Sequence, residues 1–330
     1  MRGALQGGEM AQDSRNHWDV LVIGSGMAGV SCAQALSGAG QSVLLLDKGR
    51  GIGGRIATRR VTLPVGEVSF DHGAQYVSAR DDEFAKRLEQ AGAVLWQDGA
   101  PKRHLVGTPG MSALVRALAQ GLEIRQSCEV SALQRTSQGW TATTPMGNIH
   151  ARQVVVTIPA PQIERLLGAD HPLSVAVAGI QMQPCLTLMA AFSPDSPRPV
   201  LHRYDPTHPL AWIAQNSAKP ARGDAAVTWV AQAGPDWSAT YLEGAPDLIA
   251  GQMLPLLCDV IGTDRDAALH VSAHRWRYAR AAQPLGQPFL RSADRSLYLG
   301  GDWCLGTRVE DAWTSGRAIA RDIAGGADVG

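Results

Sequence analysis

The strongest constraint on the fold of this chain is a glycine-rich turn between two short apolar runs near its start. The first run covers residues 19–23, the sequence Gly-Ser-Gly-Met-Ala-Gly occupies residues 24–29, and a second run at residues 43–46 ends in Asp47. A helical pattern fills the interval between the motif and the second run. A strand, a tight turn, a helix and a second strand in this order predict the βαβ unit of a dinucleotide-binding domain.

The small residues of the motif have separate physical tasks. Gly24 permits the tight strand-to-helix turn, Gly26 lets the backbone approach a pyrophosphate, and Gly29 lets the helix pack close to the strand. The amino terminus of the helix offers N–H groups and the positive end of its dipole to phosphates. Asp47 is placed to accept hydrogen bonds from both ribose hydroxyls, which completes the expected dinucleotide site.

The composition excludes several classes of protein. Lys and Arg number 30 against 30 Asp and Glu, so the net charge of +0 indicates neither a nucleic-acid nor a membrane-surface partner. The five cysteines are scattered without a C-x-x-C pair, which argues against a disulfide framework, a structural zinc site and a dithiol centre. Residues 1–16 are polar and are interpreted as a flexible extension, with Met10 an alternative start. With neither a signal peptide nor an apolar run of ~20 residues, we expect a cytoplasmic protein. The sequence gives no prediction of its oligomeric state.

Further along the chain the pattern alternates between strands and helices and then becomes mainly β. Strands are predicted at 68–70, 129–135, 140–144, 154–158, 185–192, 211–215, 226–231, 269–276 and 297–299, and helices at 83–91, 111–120, 246–261 and 309–324. The block from about residue 172 to 288 is therefore expected to be a mostly antiparallel sheet layered with helices.

Three further features favour FAD over NAD as the dinucleotide. A second glycine loop at residues 47–55 ends in Arg55, whose planar fork of donors suits a phosphate. Residues 70–76 form a strand leading into a glycine turn. Gly301 and Asp302 precede the last helix, whose amino terminus near Val309 is expected to face the pyrimidine edge of the flavin and to stabilise its anionic reduced form.

These motifs resemble the glutathione-reductase-type FAD superfamily and, within it, the amine-oxidase-like branch. Four stretches, residues 73–85, 106–118, 273–281 and 300–316, are similar to the bacterial renalases, and the resemblance covers nearly the whole chain. It implies a non-covalent FAD and an oxidase that returns the 2- and 6-dihydro isomers of NAD(P) to NAD(P)+, with hydrogen peroxide formed from O2. The chain departs from that pattern at His72, where an apolar residue is expected.

The predicted fold is α/β, with a Rossmann-like FAD-binding domain of the glutathione-reductase type and an inserted, mostly antiparallel sheet-plus-helix substrate domain. The predicted FAD-binding domain takes in residues 17–75, 105–165 and 291–330, and the substrate domain takes in residues 76–104 and 166–290. No second G-x-G-x-x-G motif follows, which argues against a separate NAD(P)H-reductase domain.

Loss of hydride from a dihydropyridine needs orientation and stacking and no strong general base. The predicted catalytic residues are accordingly Tyr76, Gln75, Trp276, Tyr278 and His72. The predicted cofactor-binding residues are Gly24, Gly26, Met27, Ala28, Gly29, Asp47, Lys48, Gly54, Arg55, Gly73, Ala74, Gln75, Val130, Gly301, Asp302, Arg308, Val309, Glu310 and Ala312. The assignment of Val130, as a backbone contact to adenine, rests on the resemblance. No metal site is predicted, because the acidic residues 81–83 are read as a helix start.

Several alternatives stay open at this point. His72 is either a catalytic base or a structural hydrogen-bonding group. His274, Trp276 and Tyr278 share one face of a strand, which we expect to face the flavin, and Arg275 and Arg277 share the other, where a substrate phosphate is an alternative ligand. The rival functions are a flavin amine oxidase or dehydrogenase acting on a small amine, a flavin-binding protein without turnover and, more distantly, a carotenoid-type desaturase.

Overall fold

The computed structural model describes residues 17–325, so the predicted extension at residues 1–16 lies outside the described residues. The strands are β1 His17–Ile23, β2 Val43–Leu46, β3 Thr58–Leu63, β4 Gly66–Asp71, β5 Val94–Trp96, β6 His104–Val106, β7 Glu123–Arg125, β8 Ala132–Thr136, β9 Gly139–Thr144, β10 Gly147–Val156, β11 Met182–Phe192, β12 His202–Tyr204, β13 Trp212–Gln215, β14 Val227–Gln232, β15 Ala268–Ala281, β16 Leu290–Arg291 and β17 Leu297–Leu299. The helices are α1 Met27–Gly38, α2 Asp82–Gln90, α3 Ser112–Leu118, α4 Ile163–Leu167, α5 Pro172–Val177, α6 Pro235–Thr240, α7 Pro246–Ile261 and α8 Val309–Ile323. Within residues 17–325, none of these helices has the length and apolar character of a membrane span.

The first of two compact units is built on a mainly parallel sheet and takes in, of the described residues, 17–54, 119–181 and 283–325. Its strand order is β16-β17-β10-β1-β2-β7, and the β8–β9 hairpin continues antiparallel from β10. Ile23 at the end of β1 is in register with Leu46 and Val156, and Val156 is in register with Leu299. The carboxyl ends of four parallel strands therefore lie along one sheet edge, where α/β folds bind ligands.

Helices α1 and α8 of this unit pack so closely that their backbones are in contact. The Oγ of Ser31 in α1 donates to the carbonyl of Trp313 in α8 at 3.0 Å. A Cβ atom at Gly316 would lie 2.1 Å from the carbonyl oxygen of Ala28, so a side chain there would separate the helices. This contact joins the first helix after the glycine motif to the last helix of the chain.

The second unit, residues 55–118 and 182–282, is built on an antiparallel sheet of order β12-β13-β14-β11-β15. A core that includes Leu188, Trp229 and Met253 joins this sheet to α7. Val68 and Phe70 of the β3–β4 hairpin share a second core with Met189 and Val230. Burial of this hairpin explains why residues 55–75 belong to the second unit, whereas the sequence pattern places them in the FAD-binding domain.

The predicted fold class is confirmed, and three predicted elements form at the predicted bounds, namely Val43–Leu46, Pro246–Ile261 and Leu297–Leu299. The strand at Ala268–Ala281 is longer than predicted and carries a register shift against β11 between Gln183 and Cys185. Of the three-residue strands, β17 was predicted, whereas β5, β6 and β12 were not, because an alternation of side chains cannot be recognised over so short a run.

Candidate active site

The glycine motif forms the tight turn that its sequence predicts. Gly24 has φ +107°, and a Cβ atom there would lie 2.8 Å from Oγ1 of Thr157, at the end of β10. A Cβ atom at Gly29 would lie 1.9 Å from the carbonyl oxygen of Gly24, so only glycine permits this closeness of helix and turn. At Gly26, in contrast, a Cβ atom would meet nothing within 4 Å. The space beside Gly26 is therefore open to a ligand at the start of α1.

The amino terminus of α1 is suited to an anion. Gly26 is the N-cap residue, no side chain caps this end of the helix, and the first turn contains no acidic residue. Helix N–H groups and the helix dipole together favour a phosphate in such a place. The open space at Gly26 and this donor set fit the pyrophosphate of a dinucleotide.

Asp47 holds the turn together as well as being available to a ribose. Its Oδ2 accepts hydrogen bonds from the backbone N–H of Ser25 at 2.7 Å and from the Ser25 hydroxyl at 2.8 Å, and its Oδ1 accepts the N–H of Gly49 at 2.6 Å. A carboxylate offers about four lone-pair positions, so one on Oδ1 stays open. One ribose hydroxyl can bind there, and a second requires the Ser25 hydroxyl to turn away.

The last glycine turn lies at the same sheet edge. The N–H of Gly300 donates to the Val156 carbonyl at 3.0 Å, and the N–H of Gly301 donates to Oγ of Ser315 at 2.9 Å. Gly301 has φ +150°, and Asp302 behind it is buried. These bonds place the predicted cofactor residues of the last helix beside β10 and the first glycine turn.

At the start of α8, the predicted residues Arg308 and Glu310 interact with each other. The N–H of Arg308 donates to Oδ2 of Asp311 at 2.8 Å, and its guanidinium lies 3.9 Å from the carboxylate of Glu310. Val309 and Ala312 stand on the same first turn. Elsewhere in the first unit, Lys48 donates to Gln162 at 3.2 Å. Val130 is buried, two residues after Cys128, whose N–H donates to the Asp47 carbonyl at 2.9 Å.

In the second unit, residues 55 and 73–75 approach each other at backbone level. A Cβ atom at Gly73 would lie 1.9 Å from the Arg55 carbonyl oxygen, and the N–H of Ala74 donates to that same oxygen at 2.9 Å. The Arg55 guanidinium donates to the Ala279 carbonyl at 2.8 Å. Its predicted role as a phosphate ligand stays a prediction. Gly54, which precedes it, is exposed and belongs to the first unit.

A buried charge cluster surrounds Asp71, and the sequence did not predict it. Oδ2 of Asp71 accepts hydrogen bonds from Nε of Arg222 at 3.0 Å, from its Nη2 at 2.7 Å and from Nζ of Lys219 at 3.4 Å. Its Oδ1 accepts Oγ1 of Thr58 at 2.7 Å and the N–H of Met111 at 2.9 Å. Burial raises the pKa of Asp71, but Lys219 and Arg222 outweigh burial and hold this pKa below its usual value.

Lys219 connects this cluster to the predicted site residue Gln75. Its Nζ donates to Oε1 of Gln75 at 3.1 Å, while Nε2 of Gln75 donates to the carbonyls of Asp71 and Gly73. Burial lowers the pKa of Lys219 to about 8, and the attraction of Asp71 offsets part of that effect. The amide of Gln75 is thus held in one orientation by charged and backbone partners.

Three predicted ring residues form one stack in the second unit. The His72 ring stacks on Trp276 with centroids 5.3 Å apart and meets His274 edge-on at 4.8 Å, while Nε1 of Trp276 donates to the His72 carbonyl at 2.8 Å. Burial, His274 and Arg59 lower the pKa of His72 to about 4, and burial and Arg59 lower that of His274 to about 4. Both imidazoles are therefore neutral at pH 7.

The predicted alternation along β15 is present in the structure. His274, Trp276 and Tyr278 are half-buried, whereas Arg275 and Arg277 are exposed on the other face and pair with Glu243 at 3.5 and 2.6 Å. The arginines are thus engaged by a carboxylate on the face away from the ring stack.

A second ring cluster surrounds Tyr76. Its ring stacks on His104 with centroids 3.6 Å apart, and the ring of Trp212 lies 5.6 Å from it and 4.9 Å from that of His202. His104 and His202 both contact Asp98. The sequence did not predict this group, because its members come from segments far apart in the chain, namely the loop after β4, the β5–β6 hairpin and strands β12 and β13.

Comparisons with known proteins agree with the fold and with a dinucleotide-binding domain in the first part of the chain. Residues 92–324 match the family model of flavin containing amine oxidoreductases, and residues 22–90 match that of an NAD(P)-binding Rossmann-like domain. Among curated proteins, the L-amino-acid oxidase of Demansia vestigiata is 51% identical over 41 residues, and that of Notechis scutatus scutatus is 46% identical over 48 residues. These segments cover 12% and 14% of this chain but only 8% and 9% of the two oxidases.

Solved structures resemble the chain over nearly its whole length. A putrescine oxidase double mutant superposes with a TM-score of 0.72 at 12% identity, covering 94% of this chain and 99% of the other. A putative protoporphyrinogen oxidase from Exiguobacterium sp. 255-15 superposes with a TM-score of 0.68 at 14% identity, covering 92% and 98%. At these identities the similarity establishes the fold alone.

Proposed function

The chain belongs to the flavin containing amine oxidoreductase family and is an FAD-dependent oxidoreductase, and from this premise we propose that it oxidises the 2- and 6-dihydro isomers of NAD(P) to NAD(P)+. FAD bound in this fold would supply the two-electron chemistry, namely acceptance of the substrate hydride at N5 and reoxidation by O2, which with one further proton yields hydrogen peroxide. We propose that Gly26, the start of α1 and Asp47 hold the dinucleotide part of FAD, in accordance with the open space and the donors described above.

The observation that supports this substrate class most directly is the stack of the His72 and Trp276 rings, with centroids 5.3 Å apart. His72 and His274 have pKa values of about 4, so these imidazoles are poor bases at neutral pH. A dihydronicotinamide loses hydride and becomes an aromatic cation without giving up a proton, so it needs a flat and neutral surface. The stacked rings of His72 and Trp276 offer such a surface.

The other predicted residues are proposed to orient the substrate. Lys219 and two backbone carbonyls fix the amide of Gln75, so this amide is preorganised for a polar contact with the substrate. Tyr76 is held by its stack on His104 and is proposed as a wall of the site. Preorganisation of this kind lowers the entropic cost of reaching a reactive geometry.

Oxidation of a small amine is the second candidate, and one observation favours it. An amine must reach its neutral form before it is oxidised, and Lys219, with a pKa of about 8, exchanges a proton near neutral pH. If Lys219 is needed for that proton, the rate should follow its titration. A dihydronicotinamide oxidase should show no such dependence.

The deciding experiment is anaerobic stopped-flow mixing of the holoenzyme with separate 2-, 4- and 6-dihydro isomers of NAD and NADP, followed by flavin absorbance. We expect rapid bleaching by the 2- and 6-isomers, little reaction with the 4-isomer and a rate that is flat from pH 6 to 8. An enzyme that all three isomers leave oxidised, and that putrescine or another amine reduces, would overturn the dihydronicotinamide proposal in favour of the amine.

Two variants on one strand provide a matched control. Trp276→Ala removes the indole of the ring stack and should slow reduction, whereas Arg275→Gln changes the opposite face, where Arg275 pairs with Glu243, and should leave the rate unchanged. Arg277→Gln tests the alternative that an arginine of that face binds a substrate phosphate. Weaker binding of NADP isomers by that variant would support the alternative.

A further inference from the structure

Two imidazoles in the second unit converge on one carboxylate oxygen. Oδ2 of Asp98 lies 2.5 Å from Nδ1 of His104 and 3.1 Å from Nε2 of His202. The three ligand-type atoms lie within 4.8 Å of one another, and the Asp98 and His104 side chains are 2% and 9% exposed. In the proposed oxidation only His104 has a part, as the ring that supports Tyr76.

Aromatic rings and unpartnered nitrogens surround these three side chains. The rings of Trp96 and Trp212 lie 5.5 and 4.9 Å from that of His202. Among the described residues, Nε1 of Trp96, Nε1 of Trp212 and Nδ1 of His202 are buried without a hydrogen-bond partner. Buried polar atoms are nearly always satisfied in native proteins, so three of them in one cluster indicate a polar occupant. The two indole N–H groups can only donate, so they suit an occupant that accepts hydrogen bonds, such as a water or hydroxide.

The Asp98 carboxylate is held in place from its other oxygen. Its Oδ1 accepts the N–H of Ala100 at 3.1 Å, while its Oδ2 contacts both imidazoles. The ammonium of Lys219, over the Trp96 ring at 5.4 Å, is already paired with Asp71.

We propose that Asp98, His104 and His202 bind one divalent transition-metal ion of the zinc class. Two imidazoles and one carboxylate are ligands that such ions prefer, and three protein ligands leave a position for water. Ligand atoms of a tetrahedral zinc ion stand about 3.3 Å apart, given bonds of about 2.0–2.1 Å. The 3.1 Å pair already has this spacing, and the 2.5 Å pair widens when the shared proton is replaced by the ion.

The ion would have a structural role, as a cross-link between two parts of the second unit. Asp98 lies between β5 and β6, His104 begins β6, and His202 begins the edge strand β12, so the ion joins a two-stranded hairpin to the larger sheet of the same unit. His104 also supports the Tyr76 ring. The ion is therefore expected to rigidify this hairpin without taking part in electron transfer, and the inference does not depend on which substrate the flavin oxidises.

The test is zinc stoichiometry and affinity of the FAD-loaded enzyme. Metal is first removed with a chelator and zinc is added back; after removal of the excess, elemental analysis gives the stoichiometry, and competition with a zinc indicator gives the affinity. We expect one zinc ion per chain in the wild type. Loss of a carboxylate or imidazole ligand in Asp98→Asn or His202→Gln should raise Kd by more than about 100-fold, because even outer-shell changes cost 10–100-fold. Flavin absorbance and thermal midpoint identify any variant that fails to fold, and His202→Gln, at a sheet edge, serves as the second variant.

The matched control is His150→Gln, which breaks the stacked pair of His17 and His150 in the first unit, an alternative place for adventitious zinc. This variant should keep the wild-type affinity. Zinc lost in His150→Gln but retained in His202→Gln would overturn the proposal, and so would a wild-type enzyme that binds no zinc at micromolar concentration. In either of those cases the three side chains form a hydrogen-bonded network only.

Discussion

Replacement of Asp71 by Asn tests the buried charge cluster directly. The carboxylate is fully buried and is the anionic partner of Lys219 and Arg222, whose charged groups are also buried. Asp71→Asn keeps the size of the side chain and an acceptor oxygen for the Met111 N–H. It therefore removes the negative charge with little change of shape, and two cations lose their counter-charge.

The magnitude follows from the different abilities of the two cations to lose a proton. Breaking a buried ion pair costs about 3–5 kcal/mol in the free energy of unfolding. Lys219 has a pKa of about 8, one unit above pH 7, so deprotonation of its ammonium costs about 1.4 kcal/mol. Once neutral, Lys219 is no longer a buried charge without a counter-charge. At pH 9 it is already neutral in the wild type. Arg222 stays charged at both pH values. The destabilisation should therefore be about 3–5 kcal/mol at pH 7 and about 1 kcal/mol smaller at pH 9.

The lowered pKa of Lys219 also sets the direction in which the stability of the wild type changes with pH. The pKa of Lys219 is lowered from 10.5 to about 8 on folding, so between these values the unfolded chain binds the extra proton. Stability from this group therefore rises with pH across that window. The pKa of Asp71 is also lowered, so its contribution is present at neutral pH and is lost in acid.

The assay is urea unfolding followed by tryptophan fluorescence at pH 7 and pH 9, with FAD at a fixed excess. Lys219→Met is the matched background, since Asp71→Asn introduced into it should show the same penalty at both pH values. Asp195→Asn, at an exposed carboxylate, should change stability by less than about 0.5 kcal/mol. For the chain that retains Lys219, an Asp71→Asn penalty below about 1 kcal/mol at pH 7, or one that does not shrink at pH 9, would refute the reasoning.

Three further predictions concern the rings, the glycine turn and a buried thiol. Burial, His274 and Arg59 lower the pKa of His72 to about 4, so protonation of this residue between pH 6.5 and pH 4 should lower the free energy of unfolding by about 3 kcal/mol. In His72→Gln, the free energy of unfolding measured by urea titration should depend less on pH over this range. The methyl group of Gly26→Ala meets no protein atom within 4 Å but fills the space at the start of α1, so the chain should fold normally. Its FAD affinity, measured by ultrafiltration, should fall at least about tenfold, or about 1.4 kcal/mol. Gly38→Ala, whose methyl group also meets no protein atom within 4 Å, should leave the FAD affinity unchanged. Burial raises the pKa of Cys304 to about 12, so mass spectrometry should find it unmodified after iodoacetamide treatment of native enzyme at pH 8, and rapid alkylation would contradict the burial.

Much of the first unit was predictable because its constraints are local. The turn at residues 24–29 requires glycine at positions where a Cβ atom would meet Thr157 or the Gly24 carbonyl, and this requirement is visible as a spaced motif. Fully buried parallel strands such as β2 also appear as continuous apolar runs. The fold class, the βαβ unit and FAD as cofactor were therefore predicted correctly.

The second unit was less predictable because its key contacts join distant segments. Lys219 and Asp71 are 148 positions apart, and a single lysine in a loop carries no pattern that indicates burial. The assignment of residues 55–75 to the FAD-binding domain followed their position after the ribose acid, whereas the apolar face of the β3–β4 hairpin is buried on the antiparallel sheet of the second unit.

The sequence by itself determined the tight glycine turn at the start of α1, since backbone geometry at such a turn restricts the residue types that can occupy it. Only the tertiary structure decided the chemistry of the ring residues. His72 is a potential base by its residue type, but burial against Trp276, His274 and Arg59 makes it a neutral ring. Asp98, His104 and His202 are unremarkable as single residues and become a candidate metal site because a short hairpin and a sheet edge meet. The free energy of a charge depends on its surroundings, and those surroundings exist only after the chain has folded.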